Sequence, residues 1–196
     1  MKDRNPFNDL FLSLSEAFSK EPRAGGKAAA EALRAADLGT YRRTVSEEDP
    51  LTVLKAVSEL PDALPLVQDV LRCAPSLDWT CWAGAGLSDD ISSRLFTTEL
   101  LGPDGHIPAD GLRVGLLASE PWTDYPLSNH SGEETYLVIS GVAEWVLEDS
   151  GYVERRPGEF VHHPAWAMHG RRTTQQPFLG AWRWSGDLDL SSFSVA

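Results

Sequence analysis

The chain is poor in cysteine, short of basic residues and without a long apolar run, and each shortage removes a class of protein. Its two cysteines, Cys73 and Cys81, are too few for a disulfide framework and stand in neither a CxxC nor a zinc-ribbon spacing. They read as buried, unreactive thiols of a reducing compartment. Seventeen Lys and Arg oppose twenty-nine Asp and Glu, for a net charge of −12 and a pI near 4.7. That balance disfavours nucleic acid and anionic lipid, which are held by neutralising phosphate. A small cationic or zwitterionic ligand is not disfavoured. No stretch approaches the roughly 20 apolar residues of a membrane span, and MKDRNPFNDLFLSLSEAF has polar interruptions where a signal peptide needs an unbroken apolar core. The expectation is a protein of the cytoplasm with no nucleic-acid or membrane partner. What is present, 42% hydrophobic residues in 196, suffices for one sizeable core.

The first third and the rest of the chain follow different periods. Phe7, Leu10, Phe11, Leu14 and Phe18 recur at three- and four-residue steps after Asn5-Pro6, an N-cap followed by a proline at the first helical position. The Ala-rich stretch KAAAEALRAAD predicts a second helix over 27–36, bounded by Gly25-Gly26 and Gly39. Two more are expected over 51–60 and 62–73, separated by Pro61. A helical segment over 1–75 is therefore expected, serving as a packing layer or an oligomer contact, the latter consistent with a homodimer. Over 76–196 short β-branched and aromatic runs alternate with turn dipeptides such as Asp104-Gly105 and Pro157-Gly158. Strands are expected near 93–101, 112–119, 133–140, 142–148, 152–155, 159–163, 169–173 and 177–184. Such spacing without intervening helices predicts an antiparallel barrel or sandwich.

The chemistry concentrates in Ser128-Asn-His130-Ser-Gly-Glu-Glu134-Thr-Tyr136-Leu-Val-Ile-Ser-Gly141. On an extended chain Glu134 and Tyr136 share a face while Leu137 and Ile139 take the other, and His130 could join the first. An imidazole, a carboxylate and a phenol converging inside a barrel suit a divalent ion such as zinc, iron or manganese, given a further ligand from elsewhere. His169, in GEFVHHPAWAMH, is the candidate for that ligand. His162 and His163 are adjacent, so at most one can enter the barrel, and both are read as non-ligands. His106, in GPDGHIPADG, reads as an exposed turn residue.

These two stretches resemble the paired motifs of the cupin superfamily, G-x5-H-x-H-x3-E-x6-G and G-x5-P-x-G-x2-H. His130, Glu134 and Gly141 keep the first spacing, and Gly158, Pro164 and His169 the second. Ser128 stands where most cupins have the first histidine, and Trp166 where the second motif has its later glycine. Tyr136 can occupy the coordination position that Ser128 vacates. With the helical first third and PWTDYPLSNHSGEETYLVISG, the whole resembles the DddQ-type dimethylsulfoniopropionate (DMSP) lyases, helical segment and cupin β-barrel alike. The resemblance implies His130, Glu134 and His169 as metal ligands, Tyr136 as a metal-proximal tyrosine and Tyr125 as a second active-site tyrosine. It implies β-elimination, cleaving a small zwitterionic sulfonium substrate to dimethyl sulfide and acrylate.

That reaction takes the α-proton from a carboxylate, so it calls for a Lewis acid and a base. A phenol with pKa about 10 is a poor base until a nearby cation favours tyrosinate. Tyr136 is the first choice for that role and Tyr125 the second. A sulfonium lacks donors and suits aromatic faces. Phe178, Trp182 and Trp184 share one parity on the last long strand, and Trp122 and Tyr125 precede the metal motif, so Trp122, Tyr125, Trp182 and Trp184 are the candidate substrate wall. The alternatives are an iron cupin dioxygenase using the same ligands, or a cupin that binds a small molecule without turnover.

Overall fold

The computed structural model describes residues 6–42, 46, 48–82 and 86–196. Four helices come first. α1 (Pro6–Phe18) turns Leu10, Phe11, Leu14 and Phe18 inward at the expected steps; its expected cap, Asn5, lies outside the described residues. α2 (Ala24–Ala35) buries Ala29, Ala30 and Leu33, and α3 (Leu51–Ser58) buries Val53, Leu54 and Val57. α4 (Leu66–Cys73) begins later than expected, because Pro65 disfavours a helical backbone at the residue before it.

α2 begins earlier than expected and runs through Gly25 and Gly26, which are not a boundary. A Cβ at Gly25 would lie 2.3 Å from Cζ of Arg183, and one at Gly26 would lie 2.4 Å from Cβ of Glu21. The first turn of α2 can rest on this pair only because it has no side chains there. Arg183 donates from Nε to Oε2 of Glu21 at 2.9 Å and from Nη2 to Oε1, and Thr135 Oγ1 donates to the same Oε1 at 3.0 Å. Both charged side chains are 1% exposed. Glu21→Ala would leave the guanidinium with only the Ser185 hydroxyl at 2.9 Å and half-exposed Glu133 at 3.0 Å. We expect a loss of about 3 kcal/mol, the lower end of the range for breaking a buried pair, read as a lower midpoint in urea unfolding.

The remainder is β1 (Thr80–Cys81), a short α5 (Asp89–Ser92), β2 (Leu95–Gly102), β3 (Ile107–Pro108), β4 (Leu112–Ser119), β5 (Asp124–Asn129), β6 (Gly132–Ser140), β7 (Ala143–Leu147), β8 (Val153–Arg155), β9 (Phe160–His163), β10 (His169–Thr173), β11 (Phe178–Gly186) and β12 (Ser194–Val195). One sheet runs β1-β2-β4-β11-β6-β9 with β3 alongside β2, and the other runs β12-β5-β10-β7-β8. Every pairing is antiparallel except β2 with β3. The expected strands correspond to β2, β4 and β6 to β11. β5 escapes sequence reading because DYPLSN does not alternate and contains a proline, which an incompletely paired strand tolerates.

β6 and β11 are neighbours in the larger sheet and carry two different faces. Leu137, Ile139, Leu179 and Ala181 join the helices in one core, whereas Val138 and Phe178 face the space between the sheets with Leu117 and Trp145. The alternation expected for 134–139 is the alternation observed.

Two expectations are corrected. His106 is 5% exposed, not a surface turn residue. Its Nε2 accepts the Asp78 backbone N–H at 2.9 Å, so its proton sits on Nδ1, which donates to the Arg42 carbonyl at 2.9 Å. The ring also stacks on Tyr41, so the loop after β2 is drawn inward to join the barrel to the segment following α2. Cys73 is buried, with its thiol pushed up to about 12 by burial and by Asp69, but Cys81 is only half-buried because β1 lies at the sheet edge. Among the described residues no helix is long and apolar enough to cross a membrane.

Candidate active site

A cavity of about 450 Å³ opens between the sheets, and polar side chains from both converge on it. His130 follows β5, His169 opens β10 opposite Ser128, and Glu134 stands on β6 in the other sheet. These three buried residues offer ligand atoms that all lie within 4.8 Å of one another. Nδ1 of His130 donates to the Gly132 carbonyl at 3.0 Å, and Nδ1 of His169 to the Ala167 carbonyl at 2.9 Å. With a carbonyl taking Nδ1, Nε2 is the atom each ring turns toward the cavity. Those Nε2 atoms stand 3.5 and 3.7 Å from Oε2 of Glu134. The spacing is close to the edge, about 3.4 Å, of a tetrahedron with bonds of about 2.1 Å. Two imidazoles and a carboxylate so arranged fit a divalent ion of the zinc, iron or manganese type.

The protonation states agree with that use. Burial works against the charge on Glu134, but the neighbouring His130 and His163 outweigh it and hold the carboxyl well below its usual range. Burial, helped by His163, pushes the His169 imidazole down to about 3, so it is neutral, as a ligand must be.

The supporting shell is where sequence reading fell short. Trp184, expected as substrate wall, donates from Nε1 to Oε1 of Glu134 at 2.8 Å and stacks on His130 with ring centroids 4.1 Å apart. His163 enters the barrel while His162 turns outward to Thr135. Nδ1 of His163 lies 3.3 Å from Oε2 of Glu134, and its ring stacks on His169 at 4.0 Å. The pair HH announces that one ring faces inward; only the register Glu134↔His163 between β6 and β9 says which. Trp184→Phe would keep the stack and remove the N–H on Oε1. We expect metal affinity to fall about 10–100-fold, measured by competition with a chromophoric chelator; an unchanged affinity would leave Trp184 as wall alone.

Tyr136 follows Glu134 on the same strand face, its ring against Trp145 at 4.9 Å. Tyr125, half-buried on β5, accepts a hydrogen bond from Nε1 of Trp82 at 3.2 Å. Both phenols are raised above their ordinary value, first by burial and then by the charge on Glu134, while Arg171 opposes the rise. Tyr125, Tyr136, Trp182 and Trp184 all line the cavity. Trp182 fits because Gly115 leaves room: a Cβ there would fall 2.2 Å from Cζ2 of its ring.

Trp122 is the expected wall residue that the structure leaves out. It is 65% exposed and does not line the cavity, since a left-handed backbone (φ 59°) before β5 turns it to the surface. Trp166 is likewise exposed and left-handed, at φ 64°. It thus keeps the backbone that the motif's glycine would serve.

Two stacked antiparallel sheets closing over two imidazoles and a carboxylate define a cupin with a ligand set able to hold a divalent ion. Comparison with known proteins carries this to a family: the model of dimethylsulfoniopropionate lyase matches residues 39–180, and the chain belongs to that family. It is 27% identical over 192 residues to DMSP lyase DddQ of Ruegeria pomeroyi, covering 94% of this chain and 92% of that protein. Among solved structures, one from the study of the DMSP lyases RdDddP and RnDddQII superposes with a TM-score of 0.72 at 24% identity, covering 97% of each chain. The crystal structure of DddQ from Ruegeria pomeroyi gives 0.72 at 22% identity, covering 97% of this chain and 96% of that one. A cupin-2 domain of Rhodospirillum rubrum, 12% identical over 62% of this chain and 76% of its own, gives 0.50.

Proposed function

We propose that this protein is a metal-dependent carbon–sulfur lyase that cleaves DMSP by β-elimination to dimethyl sulfide and acrylate, with a tyrosine removing the α-proton. Within the family assignment, the observation that carries this reading is the buried His130–Glu134–His169 group sharing one cavity with Tyr136 and Tyr125. A divalent ion held by those three residues would supply Lewis acidity to the substrate carboxylate.

The chain's own residues do the rest. Raised by burial and by Glu134, both phenols hold their protons in the resting protein, and the positive charge of Arg171, 5.8 Å from one ring and 6.0 Å from the other, favours release. Tyr136, beside Glu134, is the first candidate base and Tyr125 the second. The aromatic face of Trp182, whose N–H is spent on the Leu116 carbonyl, offers the sulfonium a lining without competing donors. Dimethyl sulfide leaves as a neutral molecule, so no strong general acid is required.

The direct test is headspace dimethyl sulfide and dissolved acrylate from purified protein loaded separately with iron, zinc or manganese, assayed under argon. Equimolar products without oxygen are expected. Substrate loss only in air would mean a dioxygenase, and binding without turnover a sensor.

A further inference from the structure

Three arginines are buried among the described residues, and two of them have given away their donors. Arg183 donates to Glu21, Glu133 and Ser185. Arg113 donates to Glu99, Asp104 and the Leu188 carbonyl. Arg171 is 5% exposed and, among the described residues, has neither a hydrogen-bond nor an ion-pair partner. It lines the cavity on β10, two residues after His169 and opposite Tyr125 on β5. Four rings surround its Cζ: Phe178 at 4.8 Å, Trp145 at 5.4 Å, Tyr136 at 5.8 Å and Tyr125 at 6.0 Å.

Aromatic faces compensate the charge of a guanidinium but leave its five N–H donors largely unused. A cation taken out of water with open donors, at the wall of a cavity, is built to meet an acceptor from that cavity. Its planar fork matches a carboxylate.

We propose that Arg171 is the carboxylate anchor of this cavity, holding the acid end of the substrate and the acrylate product through its guanidinium. This rests on the function proposed above. It also sets the substrate's direction: like charges repel, and the four rings around Arg171 already face a cation, so the sulfonium is turned toward Trp182. The anchor is therefore a specificity device, accepting sulfonium carboxylates and rejecting sulfonium compounds without a carboxylate.

The test compares Arg171→Met, which keeps apolar bulk, and Arg171→Lys, which keeps charge without the fork, in metal-loaded protein. Acrylate affinity is followed by tryptophan fluorescence, and KM and kcat by dimethyl sulfide release. Arg171→Met is expected to weaken acrylate binding about tenfold to a hundredfold and to raise KM in step, while trimethylsulfonium, which has no carboxylate, binds no more weakly than to the parent. Arg171→Lys should fall between the two. Acrylate affinity and KM within twofold of the parent in Arg171→Met would overturn the anchor while leaving the lyase reading intact. Arg171-dependent acrylate binding with no dimethyl sulfide from the parent would do the reverse. Should Arg171→Met fail to fold by circular dichroism, parent-like acrylate affinity in Arg171→Lys overturns the two-pronged contact.

Discussion

Glu134→Gln is expected to fold as the parent does, to lose its divalent ion and to release dimethyl sulfide about a thousandfold more slowly. The change is nearly isosteric, and Trp184 can still donate to the side-chain oxygen. What disappears is the negative charge that Nε2 of both His130 and His169 face at 3.5 and 3.7 Å. Two neutral imidazoles alone hold a divalent cation poorly, and Lewis-acid stabilisation is worth several kcal/mol, each 1.4 of which is about tenfold in rate. Metal content by mass spectrometry and headspace chromatography read the two losses separately. Chelating the parent should give the same silence, reversed by adding metal. Full turnover with stoichiometric metal in Glu134→Gln would remove this carboxylate from the ligand set.

The second large effect is kinetic. Tyr136→Phe should keep the fold and most of the bound metal yet lower kcat about 10²- to 10⁴-fold, the usual worth of a positioned base. The sign of the pH dependence follows from the environment. Burial and Glu134 raise both phenols, so the protonated form dominates at neutral pH and the tyrosinate fraction grows as pH rises. The parent's kcat should climb on the alkaline side, and the variant lacking the base should lose that limb. Near-normal kcat in Tyr136→Phe with collapse in Tyr125→Phe would move the base to Tyr125.

Much of this site is legible in the sequence because strand periodicity is a local property. The spacing of Glu134 and Tyr136 places them on one face without knowledge of the partner strand, and the two motif halves supply His130 and His169. What stays hidden depends on which strands meet. Nothing near position 171 announces an inward arginine, since HGRRT reads as a polar strand and only the barrel shows Arg171 among four rings. The inward turn of His163 needs the β6–β9 register, and the role of Trp184 needs the approach of β11 to β6. Gly25 and Gly26 read as a helix boundary because Arg183, against which Gly25 packs and which pairs with Glu21, lies far along the chain. Trp122 misleads for the opposite reason: its composition suits a wall, but its backbone points away.

On β6, Thr135 reaches back to Glu21 from between Glu134 and Tyr136, and on β11 Arg183 does so from between Trp182 and Trp184. The connection between α1 and α2 thus clasps, from behind, the two strands whose fronts present the chemistry. Loosening that clasp by heat or mild denaturant should let ions leak and inactivate the enzyme before the sheets themselves come apart, making catalytic decay an early gauge of strain in a layer that never meets the substrate.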